Sequence, residues 1–196
     1  MKNRVKYILN YITKFWAAIL FFFLSCLVIL LTTVFNENYL LNILEKNNYY
    51  AGLHDVIQNQ MSYQIVQAGF DAEVLENIFD EDLLRRSTKK VLDGLYNNNE
   101  INISTTSIEE QLNKNIEEYV SKRGLTIDDE EAVAKFVKEM ANIYVTNVGY
   151  SNTIEKVRST FSQLYTIVFM ATIISSILLV LTYLGTKIFF KERNII

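Results

Sequence analysis

The sequence predicts an all-α protein: two transmembrane helices flanking a single extracytoplasmic helical-bundle domain. Three observations predict it. Two long uncharged apolar runs stand near the ends of the 196-residue chain. Basic residues dominate the flanks of these runs, whereas acids dominate the segment between them. That intervening segment repeats apolar residues at three- and four-residue intervals, the period of helices with one buried face.

The first run, Phe15 to Phe35, holds 21 residues without a charge, and the second, Ser159 to Thr186, holds 28. A bilayer's hydrocarbon core needs roughly 20 apolar residues of helix, so each run is long enough to span. Orientation follows from charge, because cytoplasmic flanks retain an excess of Lys and Arg. Residues 1–14 carry Lys2, Arg4, Lys6 and Lys14 and no acid; residues 187–196 carry Lys187, Lys191 and Arg193 against Glu192. Residues 36–160 carry 12 bases and 21 acids, a net of −9. The expected order is a cytoplasmic N-terminus over 1–14, membrane helices over 15–35 and 161–186, an extracytoplasmic domain over 36–160 and a cytoplasmic C-terminus over 187–196.

Cys26, the only cysteine, sits within the first run. A lipoprotein or secretory signal would have a shorter apolar core and a small-residue cleavage site. Here "LVILLTTVF" carries the apolar run nine residues past Cys26, so Cys26 reads as one more membrane-helix residue. With a single cysteine no intramolecular disulfide forms, and packing alone holds the domain.

Within residues 36–160, Tyr50, Leu53, Ile57, Met61, Ile65 and Ala68 make one apolar face. Ile108, Leu112, Ile116, Tyr119 and Val120 make a second, and Val133, Phe136, Val137, Met140, Tyr144 and Val148 a third. Asp71 and Asp80 precede helical patterns, Thr106/Glu109, Thr126/Asp129 and Asn152/Glu155 have capping-box spacing, and Gly124 is a stop signal. The expected helices are 38–46, 49–68, 72–79, 81–97, 106–123, 129–147 and 153–190. The last runs from the domain into the second span. "NNNEINIST" (Asn97 to Thr105) is the longest loop and the expected site of mobility, and "INI" at 101–103 is the one short strand signal.

Small residues let membrane helices approach closely. Ala18, Ser25 and Thr32 recur every seven residues in the first span, and Ala171, Ser175, Thr182 and Gly185 share a face in the second. These are the expected packing positions. Tyr39, Tyr150 and Tyr165 at one end, and Tyr7, Tyr11 and Trp16 at the other, suit interfacial aromatic belts.

Chemistry-bearing motifs are sparse. His54, the only histidine, adjoins Asp55, but a zinc site needs three or four ligands and no second histidine exists. Arg85, Arg86, Lys89 and Lys90 lie on one side of a helix, where they offer an anionic contact to lipid head groups or a wall polymer. The acids Asp80, Glu81 and Asp82 at that helix's start make a solvated, dipole-matched face the simpler reading. "TIDDEEA" lacks the alternation and glycine of a calcium loop, and "NIS" at 102–104 is expected by chance in an Asn-rich chain. No nucleophile–base motif, phosphate loop, dinucleotide fingerprint or HExxH is present, so no catalytic, metal or cofactor residue is assigned. A net of −9 on the domain argues against nucleic acid.

"NENYLLNILEKNNYYAGLHDVI", set between a basic start with one membrane helix and a helical domain with a second, resembles small uncharacterised two-pass membrane proteins of low-GC bacteria. That resemblance carries no activity. The functional expectation is a non-enzymatic membrane protein. Its domain binds or scaffolds a membrane or envelope protein partner, in the manner of an accessory or immunity-like subunit. The alternative is a ligand-sensing domain that signals through a separate membrane partner.

Overall fold

The computed structural model describes residues 2–149 and 152–191, with side chains at 7–149, 154 and 156–188. The side chains of Lys2, Arg4, Lys6, Asn152 and Glu155, the aromatic Tyr150 and the charged side chains of 191–193 lie outside the described residues. Seven α-helices form among the described residues: α1 (Lys2–Thr32), α2 (Glu37–Lys46), α3 (Tyr49–Gln67), α4 (Glu81–Asn97), α5 (Thr106–Arg123), α6 (Glu130–Asn147) and α7 (Asn152–Lys191). A single 3-10 turn, Ala72–Leu75, separates α3 from α4, and no strand occurs among the described residues, at 101–103 or elsewhere. The chain divides into two compact units, Met1–Tyr39 with Ser162–Ile196, and Leu40–Phe161.

Helices α1 and α7 are each long and apolar enough to cross a membrane, over Tyr7–Thr32 and Lys156–Ile188. Helix α1 begins at Lys2, well before the expected start of the span, and stops at Thr32 rather than at Phe35. Thr33 Oγ1 donates to the Ile29 carbonyl at 2.6 Å as the helix ends. Asn36 Oδ1 then accepts from the Tyr39 amide at 3.1 Å and starts α2. Helices α1 and α7 run antiparallel, with the Phe35 and Tyr165 rings edge-on at 5.7 Å.

In the second unit, α3 packs against α4, α6 and the 3-10 turn, and α5 packs against α6 and the same turn. The three faces read from periodicity supply the core: Ile57, Met61 and Ile65 from α3, Ile108 and Leu112 from α5, Met140 and Tyr144 from α6, all fully buried. Each such aliphatic side chain contributes about 1.5–3 kcal/mol on burial. Ala68 is the exception on its face; α3 ends at Gln67, and Ala68 is an exposed cap.

Gly69 and Gly124 end α3 and α5 in the left-handed region, at φ 84° and 62°. In each case the following amide reaches back along the helix, Phe70 to the Ile65 carbonyl and Leu125 to the Val120 carbonyl, both at 3.0 Å. This is the Schellman arrangement, and a side chain at either glycine would be strained. Asp80 caps α4 by accepting from the Leu83 amide at 2.7 Å.

Three local expectations are corrected. The helix expected over 72–79 is one 3-10 turn, because Glu76 is extended and Asn77 takes φ 55°. Asn115 Nδ2 of α5 holds that bend by donating to the Val74 and Glu76 carbonyls at 2.9 and 2.8 Å. Asp71 makes no capping bond to the turn, since its carboxylate accepts from Arg123 at the end of α5. The two capping boxes are displaced: Thr105, not Thr106, precedes α5 and donates to Glu109 Oε1. Asp129 itself caps α6 by accepting from Ala132, while Thr126 donates only to Asp128.

The loop expected to be most mobile carries several anchors. Ile101 is buried, and Asn97 and Asn99 donate to the two oxygens of Asp93 at 2.6 and 2.9 Å. Arg158 of α7 donates to the Asn99 carbonyl at 2.9 Å.

Candidate interaction surface

Helix α3 carries one formal charge, Asp55, in its 19 residues. Its core face is Tyr50, Leu53, Ile57, Met61 and Ile65. At 100° per residue, Tyr49, Gly52, Val56, Tyr63 and Val66 fall on the opposite side, and all five are exposed. Tyr63 and Val66 are the most open of them, at 63% and 65%. The strip is flanked by Asn59, Gln60 and Ser62, with Asp55, its side chain 80% exposed, as the one charge beside it. Gly52 has open space around it, so the helix backbone itself is accessible there. Toward its far end the helix is fixed to α6: Asn147 Nδ2 donates to Gln60 Oε1 at 2.8 Å. The result is a strip of apolar and amide groups, edged by one acid, on a firmly seated helix.

This strip was not picked out by sequence reasoning, which stopped at one apolar face per helix. The signal was present: a second set of apolar residues at seven-residue spacing (Tyr49, Val56, Tyr63), and a nearly charge-free helix in a strongly acidic segment.

The candidate chemistry-bearing residues do not converge. His54 Nδ1 lies 3.7 Å from Asp55 Oδ1, outside hydrogen-bond range. The imidazole packs instead against Phe79, ring centroids 5.0 Å apart. Among the described residues no group of three or more His, Cys, Asp or Glu could hold a metal. Of the basic set, Arg85 is committed locally. Its Nε and Nη2 donate to Glu45 of α2 and its Nη1 to Asp82, while the guanidinium covers the Tyr50 ring at 5.1 Å. The Glu45 hydrogen bond, the largest influence, raises its pKa above the ordinary arginine value. Arg86, Lys89 and Lys90 are exposed on the same helix. Asp129, Glu130 and Glu131 form the start of α6, where the helix dipole favours acids.

Two clefts in this unit are small. One, about 200 Å³, is polar and lies beside Asn77, Asn115 and Lys122; the other, about 290 Å³, lies between α5 and the start of α6. Pockets for small molecules usually span about 300–1,000 Å³.

No family model, curated protein or solved structure matches this chain. Its surfaces therefore carry the functional reading by themselves.

In the α1–α7 unit the less exposed residues of α1 include Thr13, Ala17, Leu20, Leu24, Leu27 and Leu31, spaced alternately by four and three. Helix α7 answers with Val168, Thr172, Ser175, Leu179, Thr182 and Thr186. The alternating spacing places these less exposed residues on one face of each helix, a seam along the pair. Of the expected packing positions, Ser175 is buried at 5% exposure, and Ser25, Ala171 and Thr182 are half-buried. Ala18, Thr32 and Gly185 are exposed and lie off the seam. The seven-residue spacing of small residues in α1 runs one position away from the leucines that fill the contact. Cys26 is a free, half-buried thiol beside Leu27.

Proposed function

We propose that this chain is a non-enzymatic integral membrane protein whose 40–161 unit lies outside the cytoplasm and binds a protein partner through the outward strip of α3. The strip carries the reading: large apolar side chains left in water on a well-seated helix with a single charge cost solvation that a partner would recover. Its position in an acidic unit adds weight, since the strip is the face least protected by charge repulsion. The membrane setting is supported by the two apolar helices, by the basic flanks and by the antiparallel course of α1 and α7, which suits both termini facing the cytoplasm. An accessory or immunity-like subunit of a membrane complex is the narrower form of this proposal. The ligand-sensing alternative gains nothing from clefts of about 200 and 290 Å³.

The test is site-specific photo-crosslinking in native membranes. A benzophenone side chain at Tyr63 or Val66 is expected to trap one discrete protein, whereas the same group at exposed Lys114 or Lys138 traps none. His54→Ala should leave the crosslink unchanged. Equal crosslinking from all four positions, or loss on His54→Ala in a folded protein, overturns the proposal.

A further inference from the structure

A groove of about 540 Å³ opens between α1 and α7 at the end of the pair that holds Lys14 and Lys187. Its walls are Thr13, Lys14, Ala17 and Phe21 on one helix and residues between Leu179 and Thr186 on the other. At 1.5 Å rise per residue it runs about 10 Å along the pair. Three threonines line it, yet it is apolar. Thr13 Oγ1 donates to the Leu9 carbonyl, Thr182 Oγ1 to Leu178 and Thr186 Oγ1 to Tyr183, each at 2.7 Å. With their hydroxyls turned onto their own helices, these residues can present methyl groups to the groove.

The charge at its mouth has one sign. Lys14 is part of the lining. The Lys187 ammonium lies 6.0 Å from the ring centroid of Tyr183, which forms the facing wall. The antiparallel register sets Lys14 level with Thr186, so both lysines stand at the same end and the apolar wall recedes from them toward Phe21 and Leu179. No acid lines the groove among the described residues.

We propose that the groove seats one anionic phospholipid, with an acyl chain against Ala17, Phe21 and Leu179 and its phosphate at Lys14 and Lys187. A basic mouth over an apolar slot between membrane helices matches both ends of such a lipid, and a zwitterionic headgroup gains less from it. The inference rests on reading α1 and α7 as membrane spans.

The test uses the full chain in nanodiscs of mixed phosphatidylglycerol and phosphatidylcholine, followed by native mass spectrometry of the lipid retained after extraction. Wild type is expected to keep one phosphatidylglycerol per chain. Lys14→Ala and Lys187→Ala should each reduce that preference roughly fivefold, with Lys14→Arg and Lys187→Arg restoring it. Ala17→Phe, which fills the slot, should abolish retention of either lipid. Equal retention of both lipids by wild type overturns the proposal, as does a preference that survives both alanine variants. A second copy of the chain held in place of lipid, lost on Ala17→Phe, also overturns it. Alkaline extraction of cell membranes separates the two levels: a chain released by carbonate refutes the membrane reading itself, whereas a retained chain without lipid preference refutes only the groove.

Discussion

Replacing Gly94 by Ala should destabilise the 40–161 unit even though alanine is the better helix former. An ideal Cβ at Gly94 would stand 2.1 Å from Ile101 Cγ1, 2.9 Å from Ile101 Cδ1 and 3.1 Å from the Asn99 carbonyl oxygen. Carbon atoms pack at about 3.5–4.0 Å, so Ile101 has to move by more than an ångström. It cannot do so freely, because Asn99 is tied to Asp93 and its carbonyl to Arg158. Displacing Ile101, which is 3% exposed, forfeits about 1.5–3 kcal/mol of burial. The gain in helix propensity returns about 1 kcal/mol. The expected net loss is about 0.5–2 kcal/mol, or a fall in Tm of about 2–8 °C for a unit of this size, read by calorimetry of the full chain in detergent. Ile101→Ala alone should cost about 2–5 kcal/mol. In the double variant the new methyl occupies part of the space Ile101 vacates, so the two losses should fall short of additive by more than about 1 kcal/mol. A higher Tm for Gly94→Ala, or effects that add within about 0.5 kcal/mol, would refute this account of the α4–loop contact.

Other outcomes follow from the same geometry. The Tyr144 hydroxyl, fully buried, donates to Ser87 Oγ at 2.9 Å, and burial, the largest influence, raises its pKa above the usual phenol value. The folded state therefore holds this proton more tightly than the unfolded chain. Its contribution is fully present below about pH 10 and declines as pH rises through the folded pKa. Tyr144→Phe should cost about 1 kcal/mol at neutral pH and should flatten the alkaline fall in Tm; a steeper fall would contradict the assignment. Some slope should remain, since burial also raises the Tyr50 pKa. For topology, cysteines placed at Glu100 or Asn194 in a Cys26→Ala background should label with an impermeant thiol reagent on intact cells at 100 and not at 194. The reverse pattern would invert the orientation. That background protein should match wild type in mass apart from the substituted side chain; a wild type heavier by a diacylglycerol group would show Cys26 to be a lipid anchor.

Much of the helical layout was legible from local rules. The apolar period placed the core residues Ile57, Met61, Leu112 and Tyr144 on inward faces, and Asp80 and Gly124 marked real helix ends. These signals are local, because a helix repeats every 3.6 residues whatever it packs against. The failures were also physical. The turn at 72–75 depends on Asn115, some forty residues away along the chain. Asp71 caps nothing because Arg123 takes its carboxylate, and Asp129 displaced Thr126 as the cap of α6 because it stands nearer the free amides.

By itself the sequence determined the two apolar runs, the net-basic flanks, the acidic middle and the helical period, all of which are sums or spacings along the chain. Only the tertiary structure decided which residues meet. It turned the α1 face of Ala17, Leu24 and Leu31 inward and left Ala18 and Thr32 exposed, a rotation of the helix about its axis that spacing along the chain does not set. It also committed Arg85 to Glu45 and Asp82, buried Ile101 over Gly94, and left Tyr63 and Val66 without cover. An apolar residue on a helix reads the same in sequence whether it faces a core or water, and only the placement of the other helices separates the two.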